Sequence, residues 1–472
     1  MNFVWQRLTL SELHLSQWRF ASYFYRLVGA FGSWREASWL LQWSDLPGAV
    51  LVSLVLILAP FVPNTIIGLL LIAGGVYWML LTLTENGKPG ITPIHLLVLL
   101  YWGIATVAFA FSPVKTAAFS GWVKLTLYLL MFALSARVLR SPRLLSWIIA
   151  IFLHVSLVVS GYGIRQQIYG VEQLATWNDP TSELAQQTRV FSYLGNPNLL
   201  ASYLLSAIAL SVAAVFVWRG WLPKALAMTM IIVNCACLFF TGSRGGWIGM
   251  LALSAAFLLL LYYWFIDYFS PFWRRWLLPI VFGGLAALLI AAVVLVEPLQ
   301  LRVMSIFAGR KDSSNNFRMN VWMAAIDMIR DRPILGIGPG NEAFNQVYPL
   351  YMRPRYTALS AYSIWLDTLI ETGFIGVSCF LWLIAVTITQ GVRIVGRLRD
   401  NGKAQGLWLI AAIASMVGIL AHGCVDTVFH RPEVNTLWWL MVAIIASQYR
   451  EVTEGEETPK IRKNQILMTD ER

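Results

Sequence analysis

The chain has 472 residues, 58% of them hydrophobic and only 12% charged, with a mean hydropathy of +0.64. Soluble domains carry about 25% charged residues, so the composition excludes a soluble globular protein and indicates an integral membrane protein. The formal net charge of +11 does not call for nucleic acid, because in a polytopic protein basic residues mostly record orientation.

Residues 1–45 are too interrupted by charge for a signal peptide. Trp5, Trp18, Trp34, Trp39 and Trp43 alternate with Arg7, Arg19, Arg26 and Arg35, a mixture expected of a cytoplasmic, interfacial amphipathic segment. Apolar runs then recur at the length of helical spans, without the alternation of a barrel strand. The expected fold class is all-α, with about twelve transmembrane helices. These are placed at about 46–62, 65–84, 94–111, 119–138, 145–164, 199–218, 222–240, 246–266, 276–296, 361–390, 406–427 and 434–449. The tenth is longer than a bilayer needs, so part of it is expected outside.

The organisation follows. Residues 46–296 hold nine spans, 297–360 form a large, partly helical loop, 361–449 hold three more spans, and 450–472 form a charged tail expected to be solvated. Lys and Arg concentrate on the segments that a cytoplasmic N-terminus would put inside. Both termini are therefore expected in the cytoplasm and the large loop outside, which in a Gram-negative inner membrane means the periplasm.

The chemistry-bearing residues collect on that outer side. The loop carries Arg302, Arg310, Lys311, Arg318, Arg330, Arg332, Arg353 and Arg355, as expected of a surface that handles an anion. Phe317–Arg332 reads as a helix with an apolar face of Phe317, Val321, Ala324, Ala325 and Met328, ended by Pro333. Gly336-x-Gly338-x-Gly340 is a tight loop and no dinucleotide fingerprint, since it follows a helix.

Arg244 sits in Thr241-Gly242-Ser243-Arg244-Gly245-Gly246, a turn opening onto a helix start, where small residues and the dipole both favour an anion. Its alternatives are snorkelling to headgroups or pairing with a local acid. Gly195-Asn196-Pro197-Asn198 reads as a helix start, with a substrate role as the lesser possibility. Arg165 and Arg189 bracket the preceding loop and could join the basic surface. Tyr362, at the outer start of the tenth span, is a further candidate for the anion-binding surface.

Asp367 and Glu371 share one face at the start of that span, and Asp426 lies at the outer end of the eleventh. All three could bind a coupling cation, but pairing with arginine is the expected role. His95 and His154 are isolated in apolar spans and read as packed or hydrogen-bonded. Cys235-x-Cys237 reads as helix packing, since no further Cys or His lies near at zinc spacing. No metal or cofactor is called for.

Four motifs in order carry a resemblance: Gly195-Asn196-Pro197-Asn198, then Thr241-Gly242-Ser243-Arg244-Gly245. Arg318-x-x-x-Trp322 follows, leading to Pro333-x-x-Gly336-x-Gly338, and last comes Glu371-Thr372-Gly373. Over roughly 190–430 the chain resembles the O-antigen ligase and polymerase superfamily, polytopic proteins with a large periplasmic loop late in the chain. Ligases of that superfamily move a glycan from an undecaprenyl pyrophosphate carrier to an acceptor. The resemblance implies that Arg244 and Arg318 hold the pyrophosphate.

It also implies a His nine residues before the Glu of Glu-Thr-Gly, where this chain has Tyr362. A tyrosine of pKa about 10 is a poor general base at neutral pH, and no histidine lies between His154 and His422 to replace it. The whole chain, including Asn315-Asn316-Phe317-Arg318-Met319-Asn320, resembles a cyanobacterial branch described as an inorganic carbon (bicarbonate) transporter. That resemblance implies bicarbonate accumulation as the leading function, with glycan transfer as the alternative. The implied partners are the bilayer, a small anion or a lipid-linked glycan pyrophosphate, and accessory subunits.

Overall fold

The computed structural model describes residues 2–10, 28, 31–38, 42–43, 45–85, 90–174 and 188–449. Trp18, Trp39, Arg19, Arg26 and the charged tail from Arg450 lie outside these residues. Of the N-terminal segment, Asn2–Leu8 and Gly32–Ala37 are short helices, and Trp5, Trp34 and Trp43 are exposed.

The described residues form no strand. Nine apolar helices come first: α1 Asp45–Leu58, α2 Asn64–Leu83, α3 Pro93–Ala110, α4 Lys115–Val138, α5 Pro142–Tyr169, α6 Pro197–Val217, α7 Trp221–Phe240, α8 Arg244–Phe265 and α9 Pro271–Leu295. The large loop folds into α10 Glu297–Phe307, α11 Ser313–Asp331 and α12 Asn341–Val347. The chain then returns through α13 Ile364–Asp400, α14 Gly406–His422 and α15 Pro432–Ser447.

Among the described residues nine helices are long and apolar enough to span a bilayer: α2 to α9 and α13. The expected spans at 46–62, 406–427 and 434–449 are helices of 14, 17 and 16 residues, short of the roughly 20 that a straight crossing takes. The first stops where the chain turns at 59–62, and the second stops at His422, ahead of a polar turn.

The bundle is built around α6, α14 and α15, on which most residues are buried. A helix apolar all round belongs in the interior. Small residues let backbones approach there: a Cβ on Gly249 of α8 would lie 2.8 Å from the Gly418 carbonyl oxygen of α14. Polar side chains tie α6 to α14. Ser206 Oγ and Ser415 Oγ are 2.7 Å apart, and Ser202 Oγ lies 2.7 Å from His422 Nδ1. At the opposite extreme, α9 has no buried residue, as expected of a helix facing lipid.

The loop helix α11 buries Val321, Ala324, Ala325 and Met328, with Phe317 packed beside them. This is the apolar face read from the sequence. His95 closes a capping box with Thr92 at the start of α3, and His154 Nδ1 lies 2.7 Å from the Ala150 carbonyl oxygen. Cys237 is buried at a helix–helix contact, against Gly163.

Two motifs that are far apart in sequence meet here. Gly373 breaks α13 with φ +63, and the segment 333–338 docks into the break. Phe374 N donates to Pro333 O at 2.8 Å, Ile337 N to Ile370 O at 2.8 Å and Gly338 N to Glu371 O at 3.0 Å. Gly336 adopts φ +68, and a Cβ there would collide with the Ile370 carbonyl oxygen. Pro-x-x-Gly-x-Gly and Glu-Thr-Gly are thus two halves of one backbone joint.

Candidate functional site

A cavity of about 540 Å³ opens where the N-termini of α6 and α8 meet the loop helices α10 and α11. Arg189, Arg244, Arg302 and Arg318 all line it, together with Asn196, Asn198, Ser313, Ser314 and Tyr362. It is built by two helix starts. Asn196 caps α6 by accepting from Asn198 N and Leu199 N. Ser243 caps α8 by accepting from Gly246 N at 3.1 Å. A capped N-terminus leaves further N–H groups and the positive end of the dipole facing the void.

Each guanidinium is held by oxygen atoms. Arg189 Nε donates to Thr241 O at 2.9 Å and its Nη2 to Asn198 Oδ1 at 3.0 Å. Arg302 Nη2 donates to Gly242 O at 2.8 Å. Arg244 Nη1 donates to Ser305 Oγ at 3.1 Å, and its Nη2 pairs with Asp312 Oδ1 at 3.0 Å. Arg318 Nη1 donates to Ser314 Oγ at 3.1 Å, while its Nη2 lies 3.8 Å from Asp426 Oδ2. Burial, with repulsion from Arg302, Arg244 and Arg318, lowers the pKa of Arg189 to about 9. Burial and Arg244 lower that of Arg302 to about 10. Crowding like charges in this way is costly, and a bound anion relieves it.

Tyr362 faces the same cavity and adopts φ +51, a conformation that costs a bulky residue about 1–3 kcal/mol. Its neighbours hold it there. Trp322 Nε1 donates to Ala361 O at 3.0 Å, Ala361 N donates to Asp367 Oδ1 at 2.9 Å, and Ile364 N donates to Gly423 O at 2.8 Å. Burial and the Asp426 carboxylate raise the phenol's pKa. At neutral pH Tyr362 is therefore a hydrogen-bond donor and not a base.

Two expectations are corrected. Among the described residues Asp367 and Glu371 do not pair with arginine: His430 Nε2 lies 3.7 Å from Asp367 Oδ2 and 3.9 Å from Glu371 Oε1, and Thr427 Oγ1 donates to Asp367. The turn after α14 carries both Thr427 and His430 to α13, which linear spacing does not reveal. Asp426 does face an arginine, Arg318.

Arg165 does not line the cavity. It is exposed, with its guanidinium 5.7 Å from the ring centroid of Tyr162 and 6.0 Å from that of Tyr169. No histidine lies between His154 and His422 in sequence, but the turn after α14 places His422 against Gly245 and His430 beside Asp367 and Glu371. His422 is fully buried, packed where a Cβ on Gly245 would be.

Sequence reading missed the roles of Arg302 and Asp312. Arg302 was legible only as one of eight basic loop residues. Asp312 was legible as an Asp beside two serines before a helical pattern, a cap signal: its side chain accepts from Asn315 N at 2.8 Å.

A pH dependence follows from His430. Burial lowers its pKa, but the nearby Asp367 and Glu371 carboxylates more than offset this and raise it above 6.5. A group whose folded-state pKa is raised stabilises the fold fully below its unfolded value, and the contribution fades as pH rises through the folded value. Melting temperature should therefore fall as pH is raised from about 6. His430→Gln should flatten that part of the profile; an unchanged profile in the variant would show that the ring is not charged in the fold.

These features define a polytopic helical membrane protein with an arginine-lined cavity beside the folded 297–360 segment. Residues 229–381 match the family Wzy_C: O-Antigen ligase, which supports the O-antigen ligase-like superfamily. The matched segment carries Arg244, Arg302, Arg318, Tyr362, Asp367 and Glu371 but not Arg189 or Asp426. No curated protein matches the chain.

Proposed function

We propose that the chain is an inner-membrane transferase that moves a glycan from a polyprenyl pyrophosphate carrier to a hydroxyl acceptor, with both termini in the cytoplasm and the arginine cavity facing the periplasm. The observation that carries this reading is the convergence of Arg189, Arg244, Arg302 and Arg318 on one void of about 540 Å³. That volume lies in the roughly 300–1,000 Å³ range of sites for organic ligands. Planar guanidinium forks match phosphate oxygens two at a time. The ligase family match points to the same chemistry.

In such a reaction the acceptor hydroxyl oxygen bonds to the anomeric carbon, and the bond from that carbon to the phosphate oxygen breaks. Charge builds on the departing pyrophosphate, where prepositioned guanidiniums lower the barrier. The phosphate oxygen released can take up the hydroxyl proton, so the site needs no strong base. This fits Tyr362, which supplies a neutral O–H donor at the cavity wall.

Bicarbonate transport, the leading expectation from the sequence, fits this cavity less well. A single planar carbonate-type anion needs one or two guanidinium forks and a small fraction of the volume. One preparation tests both readings: proteoliposomes of the purified protein, given either a polyprenyl pyrophosphate-linked glycan with hydroxyl acceptors or labelled bicarbonate. Glycan transfer that depends on Arg318 is the expected result. Arg318-dependent bicarbonate uptake without transfer would overturn the proposal in favour of a transporter.

A further inference from the structure

A second cavity, of about 100 Å³, lies among α3, α4, α13, α15 and the 339–341 turn, and shares no lining residue with the arginine cavity. Helix direction puts both on one side. The second is lined by early residues of α4, α13 and α15, which run the same way as α6 and α8. Lys124, half exposed and 2.7 Å from Glu342, stands at its edge and marks where it reaches the surface.

The lining is of two kinds. The walls are aromatic: Tyr101, Tyr128, Phe380, Phe429, Trp438 and Trp439. Between them stand Asp367, Glu371, His430 and Asn435. Two nitrogen and oxygen atoms of this set are buried without a hydrogen-bond partner, His430 Nε2 and Asn435 Oδ1. Asn435 is only 9% exposed, and its Nδ2 is already used by Phe429 O at 2.6 Å. A buried amide oxygen left without a donor costs about 1–3 kcal/mol, so the site wants a ligand that brings O–H groups.

Charge decides which kind. Unlike the arginine cavity, this one holds charges of both signs: His430 lies 3.7 Å from Asp367 and 3.9 Å from Glu371, Lys124 at the edge pairs with Glu342, and among the described residues no cluster of His, Cys, Asp and Glu is arranged to hold a metal ion. Neither a metal ion nor an anion is favoured by such a lining. A neutral, hydroxyl-rich ligand is. Its hydroxyls donate to carboxylate and amide oxygens, and its C–H faces rest on the electron-rich faces of aromatic rings.

We propose that this second cavity is a saccharide-binding site. Building on the transferase reading, it takes a sugar of the acceptor. The two sites would then divide the work by charge, the anionic carrier in one and the neutral acceptor sugar in the other.

The test is saturation-transfer NMR on the full-length protein in nanodiscs, kept free of glycoside detergents. The probes are methyl glycosides of glucose, galactose, mannose and N-acetylglucosamine. Transfer to at least one glycoside is expected, persisting in excess inorganic pyrophosphate and lost in Asn435→Leu. Lys124→Trp is the companion variant: its side chain is half exposed, so the fold should tolerate it, and an indole there obstructs the cavity.

Inorganic pyrophosphate binding by both variants checks that they are folded. Absence of transfer to every glycoside would show a water-filled cavity only and overturn the proposal. So would transfer that persists in both folded variants, or that pyrophosphate displaces. Pyrophosphate binding and glycan transfer that survive any of these results would leave the transferase reading standing while this inference alone fell.

Discussion

Arg244→Ala is expected to reduce pyrophosphate binding and glycan transfer by roughly 10²–10³-fold, about 3–4 kcal/mol. The side chain is only 14% exposed, so its field is weakly screened. It also stands at the start of α8, where the anion would meet both the guanidinium and the helix N-terminus. Calorimetric titration with inorganic pyrophosphate gives the binding loss, and the proteoliposome assay gives the rate.

Part of the effect is structural, because the variant leaves Asp312 half-buried without its partner. Arg244→Lys separates the two. An ammonium restores the charge but cannot hold Ser305, Asp312 and a phosphate together in the fork geometry. It should recover stability more fully than binding. Full recovery of binding in the lysine variant would reduce the requirement to a single positive charge, and unchanged binding in the alanine variant would remove Arg244 from the site.

Gly336→Ala should be the most destabilising of the single-atom-scale changes, at about 3–5 kcal/mol. The residue needs φ +68, and the obstacle to a Cβ is the backbone of α13 itself, at Ile370 and Glu371. That backbone cannot move without giving up the hydrogen bonds from Ile337 N and Gly338 N. Gly402→Ala is the control. It has a similar φ of +62 but open space around it, so only the conformational cost of about 1 kcal/mol applies. Thermal melting of both variants in nanodiscs checks the contrast. Equal shifts would mean that the joint between Pro-x-x-Gly-x-Gly and Glu-Thr-Gly contributes nothing beyond φ.

The helical architecture and most of the arginine site were legible in the sequence, for local reasons. Apolar runs near bilayer length report spans whatever the helices pack against. Composition alone marks 297–360 as polar and basic. Asn196 caps the helix whose start its motif marks, because capping involves only the next few residues. Arg244 stood out because a charge flanked by small residues at a membrane edge is costly without a purpose.

What failed depended on contacts between distant segments. Asp367 and Glu371 looked like arginine partners because the loop is rich in arginine. Instead the turn at 423–431 brings His430 and Thr427 to them, across about sixty positions of chain. Arg165 looked like a neighbour of Arg189 by position, yet stands apart against Tyr162 and Tyr169. Tyr362 read as a lost base. The structure adds that its strained backbone is held by Trp322, Asp367 and Gly423, drawn from three separate segments.

The sequence by itself determined that this is a helical membrane protein with a basic folded loop and arginines at its helix starts. Hydropathy, capping and charge are properties of short stretches, so they survive without knowledge of the fold. Only the tertiary structure decided that four arginines share one cavity, that two glycine motifs form one joint, and that a second, aromatic cavity gathers Asp367, Glu371 and His430. Each of these joins residues separated by tens to hundreds of positions, and no local rule specifies which of the many such pairings the packed bundle will make.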